Sequence, residues 1–229
     1  MRMRDSLLTA AVFLPLLILA TSFGCRGAPP PVDTSLLTGE PCEPPCWQGL
    51  TPGVSTEEEV REFVRTSELV DQSELYIRER TEDTGEVVGV SVHWWSRANT
   101  PRVPTQFGNN VITRDGVVEE ITVFLDSDVT LADLLERYGE PHRWSVTWVS
   151  IEMPDLDVTL YYPNHGFRAQ LILPADDRLL RPESIVHLVR YHVVVPPENF
   201  LELGPEAGYF NAYEADSLRD WEGYGIVSL

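Results

Sequence analysis

Apolar positions along the chain fall into two recurring patterns. After Ser55 and Thr56 come three glutamates, and Val60, Phe63 and Val64 then recur at helical spacing. Ser55 with Glu58 reads as a capping box. The glutamates sit in the first turn, where the helix dipole favours negative charge. A helix is predicted over 56–67. Strand-like alternation follows. Residues 74–81 alternate over a short run, and 85–96 (GEVVGVSVHWWS) put Val88, Val90, Val92 and Trp94 on one face. Residues 97–108 are polar, with Pro101 and Pro104, and read as a loop. Strands at 111–114 and 117–125 flank Asp115-Gly116, a strong hairpin signal. Ile121, Val123 and Leu125 share one face of the second.

The same order then repeats. Thr130 is a cap with Asp133 as its acid, and Leu131, Leu134, Leu135 and Tyr138 form a buried stripe. Gly139 ends the helix and Pro141 prevents its return. Strands are predicted at 144–153, 157–162 and 167–173, the last after an Asn164-His165-Gly166 turn. The run 185–195 is mostly apolar, as for a central strand. A short helix near 198–203 leads into an irregular aromatic tail, 196–229, that ends with Trp221, Tyr224 and Gly225. The expected fold is α+β and sheet-rich. It comprises two tandem units, each a short helix plus antiparallel strands (about 50–125 and 126–195), within one domain, 42–229. The alternative is two unrelated α+β segments.

Before this lies a different pattern. Arg2 and Arg4 precede an uncharged apolar run from Leu7 to Ala20, interrupted by Pro15. Fourteen residues are short for a span of roughly 20 and normal for an export signal. Residues 1–24 are therefore read as a signal peptide. The approach Ser22-Phe23-Gly24-Cys25 resembles the lipobox of bacterial lipoproteins, in which a cysteine after a small residue is acylated and becomes the new N-terminus. Gly24 and Cys25 match; Ser22 and Phe23 depart from the commonest form. The resemblance implies a lipid anchor at Cys25. Alternatives are plain secretion, with Cys25 a free thiol, and retention of the segment as an anchor. Residues 26–41 hold Pro29, Pro30 and Pro31 with no apolar period, and 25–41 reads as an anchored, proline-rich tether.

Charge and cysteine count narrow the function. The net charge is −19, and about −20 without residues 1–24. That argues against binding nucleic acid or anionic lipid by general electrostatics. No lysine is present; all 17 basic residues are arginine. Schiff-base chemistry, pyridoxal phosphate attachment and the P-loop lysine are thereby excluded. The cysteines are Cys25, Cys42 and Cys46. With Cys25 acylated, the other two form an even pair in an oxidising compartment, and a Cys42–Cys46 disulfide is expected. Two thiolates without a neighbouring histidine do not fill a zinc shell.

A Gly53-Val54-Ser55 helix entry, the Asp115-Gly116 hairpin and a helix ending Tyr138-Gly139-Glu140-Pro141 look like the helix-then-sheet unit of two groups. These are the small outer-membrane assembly lipoproteins of the SmpA/OmlA type and the tandem-repeat β-lactamase inhibitor proteins. The resemblance covers roughly 50–173. Cys46-Trp47-Gln48-Gly49 is also similar to the opening of uncharacterised bacterial lipoproteins. The resemblance implies a binding or scaffold role outside the cytoplasmic membrane.

Chemistry-bearing motifs are absent from the sequence: no Gly-x-Ser-x-Gly, His-Glu-x-x-His, phosphate loop or EF-hand loop. His187 and His192, five apart in one strand, point to opposite faces. Asp126-Ser127-Asp128 and Asp155-Leu156-Asp157 carry oxygens of the kind calcium takes, but read as loop or cap clusters. No cofactor or metal is expected. The candidate binding residues are Trp95, Trp144 and Trp148, since an outward tryptophan on a sheet suits a protein or sugar. The alternative is a sheet face covered by the C-terminal tail. The expected function is a non-catalytic protein-binding or envelope-assembly module with an unidentified protein partner, anchored to the membrane by lipid. The alternatives are a small-ligand or glycan-binding domain and, further off, an enzyme.

Overall fold

The computed structural model describes residues 30–96, 98, 108–149 and 155–228. The predicted signal peptide (1–24), Cys25, most of the predicted 97–108 loop and the end of the predicted 144–153 strand lie outside the described residues. Among those described, no helix is long and apolar enough to cross a membrane.

Helix α1 (Glu57–Thr66) starts one residue later than its predicted cap. Thr56 Oγ1 accepts from Glu59 N (3.3 Å), and the Glu59 carboxylate accepts from Thr56 N (2.7 Å). The box is therefore Thr56–Glu59, while Ser55 Oγ accepts from Thr51 N. The cause is tertiary. Val118 N donates to Ser55 O (2.8 Å) and Thr56 bridges Val117, which holds 55–56 extended. Helix α2 (Leu131–Tyr138) has its predicted Thr130–Asp133 box and stops at Gly139, whose φ of 75° suits glycine. Its entry is held in the same way: Val186 N donates to Val129 O (2.9 Å) and Thr130 bridges Ile185.

Eight strands form one antiparallel sheet: β1 (Val70–Thr81), β2 (Val87–Ser96), β3 (Asn109–Arg114), β4 (Val117–Phe124), β5 (Arg143–Trp148), β6 (Leu156–Tyr162), β7 (Phe167–Leu173) and β9 (Val186–Tyr191). The order is β1-β2-β3-β4-β9-β7-β6-β5. Short strands β8 (Leu179–Leu180) and β10 (Gly225–Ile226) pair apart from it. Asp115 and Gly116, both at positive φ, close β3 onto β4 as the sequence predicts. The apolar run β9 is central, between β4 and β7. β1 begins at Val70, before the predicted 74, and carries a register shift between Asp71 and Tyr76.

The two ends of the sheet correspond. Each helix precedes a set of four main strands, and the last strands of the two sets, β4 and β9, pair with Thr122 opposite Arg190. Asn110, Val111 and Ile112 face Thr122, Ile121 and Glu120, while Arg168, Ala169 and Gln170 face Arg190, Val189 and Leu188. A register shift follows at the next step in both. Carried outward through the ladders, this register makes His93 the counterpart of Tyr161, Tyr76 of Arg143 and Ile77 of Trp144.

One face of the sheet carries both helices. Val60 and Val64 of α1, and Leu131 and Leu134 of α2, join one core with Val92, Trp94, Ile121 and Leu160. Burying each such side chain contributes about 1.5–3 kcal/mol.

Within the stretch read as a tether, residues from Asp33 onward make packed contacts. The Asp33 carboxylate accepts from Trp47 Nε1 (2.6 Å), Gln48 Nε2 (3.1 Å) and Ser35 N (2.9 Å). A helical turn, Ser35–Thr38, then buries Leu36. Packing thus begins at Asp33 rather than Cys42, because the buried indole N–H of Trp47 needs an acceptor. Cys42 and Cys46 form the predicted disulfide, with sulfurs 2.11 Å apart.

Candidate functional site

Opposite the helices, alternate residues of the strands build a second face. One row crosses the whole sheet: Tyr76, His93, Asn110, Thr122, Arg190, Arg168, Tyr161 and Arg143 are successive cross-strand neighbours. The two ends of this row differ in what covers them.

At the β5–β6–β7 end the chain's own tail covers the row. Tyr161 is buried under Phe200, Tyr209 and Phe210, with ring centroids to Phe200 and Phe210 at 5.6 and 6.2 Å. Phe200 begins a helical turn, Phe200–Leu203, near the predicted 198–203 helix. Arg168 is 5 % exposed, donates to Tyr209 O and lies 3.8 Å from Glu214. The tail is therefore a lid of aromatic side chains, pinned by the sheet's own arginine.

Among the described residues, none of the tail covers the row at the β1–β2–β3 end. Tyr76 is exposed and stacks on His93 (4.7 Å, 9°), and the Arg78 guanidinium lies 5.4 Å from the Tyr76 ring centroid. Ser91 Oγ and His93 Nε2 are 2.6 Å apart. Burial, and then Arg78, hold the His93 imidazole below its ordinary pKa, which favours a neutral ring. Trp95, Ile112 and Phe124 are half-buried on the same face. This is a mixed aromatic and polar surface of the sort found in protein interfaces.

Between the two ends the row is charged. Arg168 and Arg190 stand directly opposite each other, an arrangement that costs stability unless it is compensated. Asp157, Glu120 and Glu214 supply the opposite charge. Asp157 accepts from Gln170 Nε2 (3.1 Å) and Thr159 Oγ1 (3.3 Å), yet burial pushes its carboxyl up to about 6. Burial, then the two arginines, hold His192 well below its usual value, and its Nδ1 is 3.8 Å from Glu120. Neither ring nitrogen of His192 has a hydrogen-bond partner among the described residues. Among the described residues, no group of three histidine, cysteine, aspartate or glutamate side chains could hold a metal. Asp155 and Asp157 serve different partners, Ala175 N and Gln170.

The three predicted tryptophans do not converge. Trp95 lies on the second face, in β2. Trp144 is 4 % exposed on the helix side, its Nε1 donating to Asp220 O (2.7 Å) and its ring meeting Trp221 edge-on. A tail residue, Trp221, thus covers the ring. Trp148 is 46 % exposed with Arg178 over its ring, but it shares the helix-side face with Trp144 and sits six strands from β2. At about 4.8 Å per strand that separation is about 29 Å. The residues that build the row, Tyr76, His93, Arg168 and Arg190, are absent from the predicted site. An arginine inside the mostly apolar β9 is the one sequence signal for them.

No protein-family model matches the chain, no curated protein matches it in sequence, and no solved structure matches it.

Proposed function

We propose that this chain is an exported lipoprotein, attached through Cys25, that works as a non-catalytic protein-binding module of the cell envelope. The uncovered end of the second face, centred on Tyr76, His93 and Trp95, is its docking surface. The observation that carries this reading is the asymmetry of the tail, which buries Tyr161 and leaves its counterpart His93 beside an exposed Tyr76. The equivalent registers and helix entries support a further part of the proposal, that the two halves arose by duplication of one helix-and-strands unit. The resemblance to assembly lipoproteins and tandem-repeat inhibitors is consistent with both. A large negative charge suits a partner with a basic surface.

One experiment separates the anchor from the docking surface. Tagged full-length protein is recovered from its own envelope as wild type, Trp95→Ala and Cys25→Ala. The Trp95→Ala protein stays in the membrane fraction and loses at least tenfold of the captured partner. The Cys25→Ala protein moves to the soluble fraction. A Cys25→Ala protein that still sediments with membranes contradicts the anchor, and equal capture by Trp95→Ala contradicts the docking surface.

A further inference from the structure

The two edges of the sheet are counterparts, and among the described residues only the β5 edge is covered. At β5, the tail runs beside the strand: Trp144 N donates to Arg219 O (3.0 Å) and Arg219 N donates to Trp144 O (2.8 Å). Two residues on, Trp221 lies on Trp144. The counterpart of Trp144 at the other edge is Ile77 of β1. It pairs with Val92 just as Trp144 pairs with Leu160, so it points to the helix side. Ile77 is 42 % exposed, and β1 ends the sheet there.

A groove of about 520 Å³ lies at this place, lined by Ile77, Val87 and Val90 together with Glu57, Arg61, Glu79 and Asp115. Its counterpart near β5 is apolar: Leu131 stands where Glu57 does, Val146 where Glu79 does, and both are buried. The covered place thus suits an apolar side chain, Trp221, and the uncovered groove suits an apolar anchor with positive charges beside it. Arg61 bonds Glu57 (2.7 Å) and offsets that acid, which leaves Glu79 and Asp115 to make the rim negative.

We infer that the β1 edge takes a strand from another protein. The occupant is an extended basic segment that pairs with the backbone at Ile77 and sets one aromatic side chain into the groove, as the Arg219–Trp221 stretch does at β5. Strand addition of this kind draws affinity from backbone hydrogen bonds and specificity from alternate side chains. A second copy's tail fits poorly. Residues 196–229 hold seven acidic side chains and one arginine, and would face an acidic rim. The inference uses a surface separate from the second face and stands or falls independently of it.

The probe is a fluorescein-labelled peptide, Arg-Thr-Arg-Thr-Trp-Thr-Arg-Thr-Arg, titrated with full-length protein and followed by anisotropy. In a strand its tryptophan and arginines share one face. Saturable binding is expected, weakened at least tenfold by Ile77→Ser and by Glu79→Arg. Both positions are exposed, and unchanged thermal unfolding confirms that the variants are folded. A peptide with glutamate in place of arginine should not bind, and one with serine in place of tryptophan should lose at least tenfold. No binding of the basic peptide, equal binding of the acidic one, or indifference to both substitutions overturns the proposal. So does concentration-dependent self-association that Ile77→Ser abolishes, because the occupant would then be a second copy.

Discussion

Phe200→Ala should lower the free energy of unfolding by about 3–5 kcal/mol, the range for deleting a buried phenylalanine ring. Phe200 is fully buried and meets His142, Tyr161, Tyr209 and Phe210 at centroid distances of 5.1–5.6 Å. It is the centre of the small core that fixes the tail to the sheet. The surrounding rings cannot all close on the vacated volume, since Tyr209 is also tied by its hydroxyl to Val193 O (3.0 Å). The loss should be local as well as global. Backbone amides of 200–215 should gain exchange with solvent before those of β6 and β7, because only the lid has been loosened. Urea denaturation with hydrogen exchange reads both effects. A loss below about 1 kcal/mol would mean that the tail is not a packed part of the fold.

Trp47→Ala should cost a similar amount, about 3–5 kcal/mol, for a different reason. The Trp47 ring lies stacked at 5.9 Å from Trp94 and edge-on at 5.1 Å to Phe63, so it joins the N-terminal segment to α1 and β2. Its indole N–H is also a partner of the buried Asp33 carboxylate. Trp47→Phe keeps much of the ring contact and removes only the donor. It should cost less, about 1–3 kcal/mol, the range for leaving a buried acceptor short of a partner. Denaturation midpoints of the two variants give the split. Equal effects would show that the hydrogen bond, rather than the packing, holds residues 33–41 in place.

What the sequence made legible was local. The Asp115-Gly116 hairpin, the Thr130–Asp133 box and the central place of β9 each depend on a few adjacent residues. The one missed cap, at Thr56 rather than Ser55, was decided by a strand sixty residues later, through the bridge to Val117. The same distance problem hid the site. Trp144 carries every mark of an outward tryptophan until Trp221, from the tail, lies on it. Arg190 stands out in its mostly apolar strand, but its pairing with Arg168 exists only when β7 and β9 are set side by side. The Asp33–Trp47 bond was illegible because nothing in a proline-rich stretch announces that one carboxylate is buried. The order of the strands allows the row Tyr76–His93–Asn110–Thr122–Arg190–Arg168 to exist, and that order depends on long-range pairing.

The central claim is that the chain closes one end of its second face with its own tail and leaves the other end for a partner. Photo-crosslinking from single positions in the full-length protein, within its own envelope, tests it most directly. Probes are placed at Tyr76 and Trp95 on the uncovered end, and at Leu201, which is exposed on the outer side of the lid. Tyr76 and Trp95 should yield one adduct of the same mass, and Leu201 none. An adduct strongest at Leu201, or none from Tyr76 and Trp95, would contradict the account.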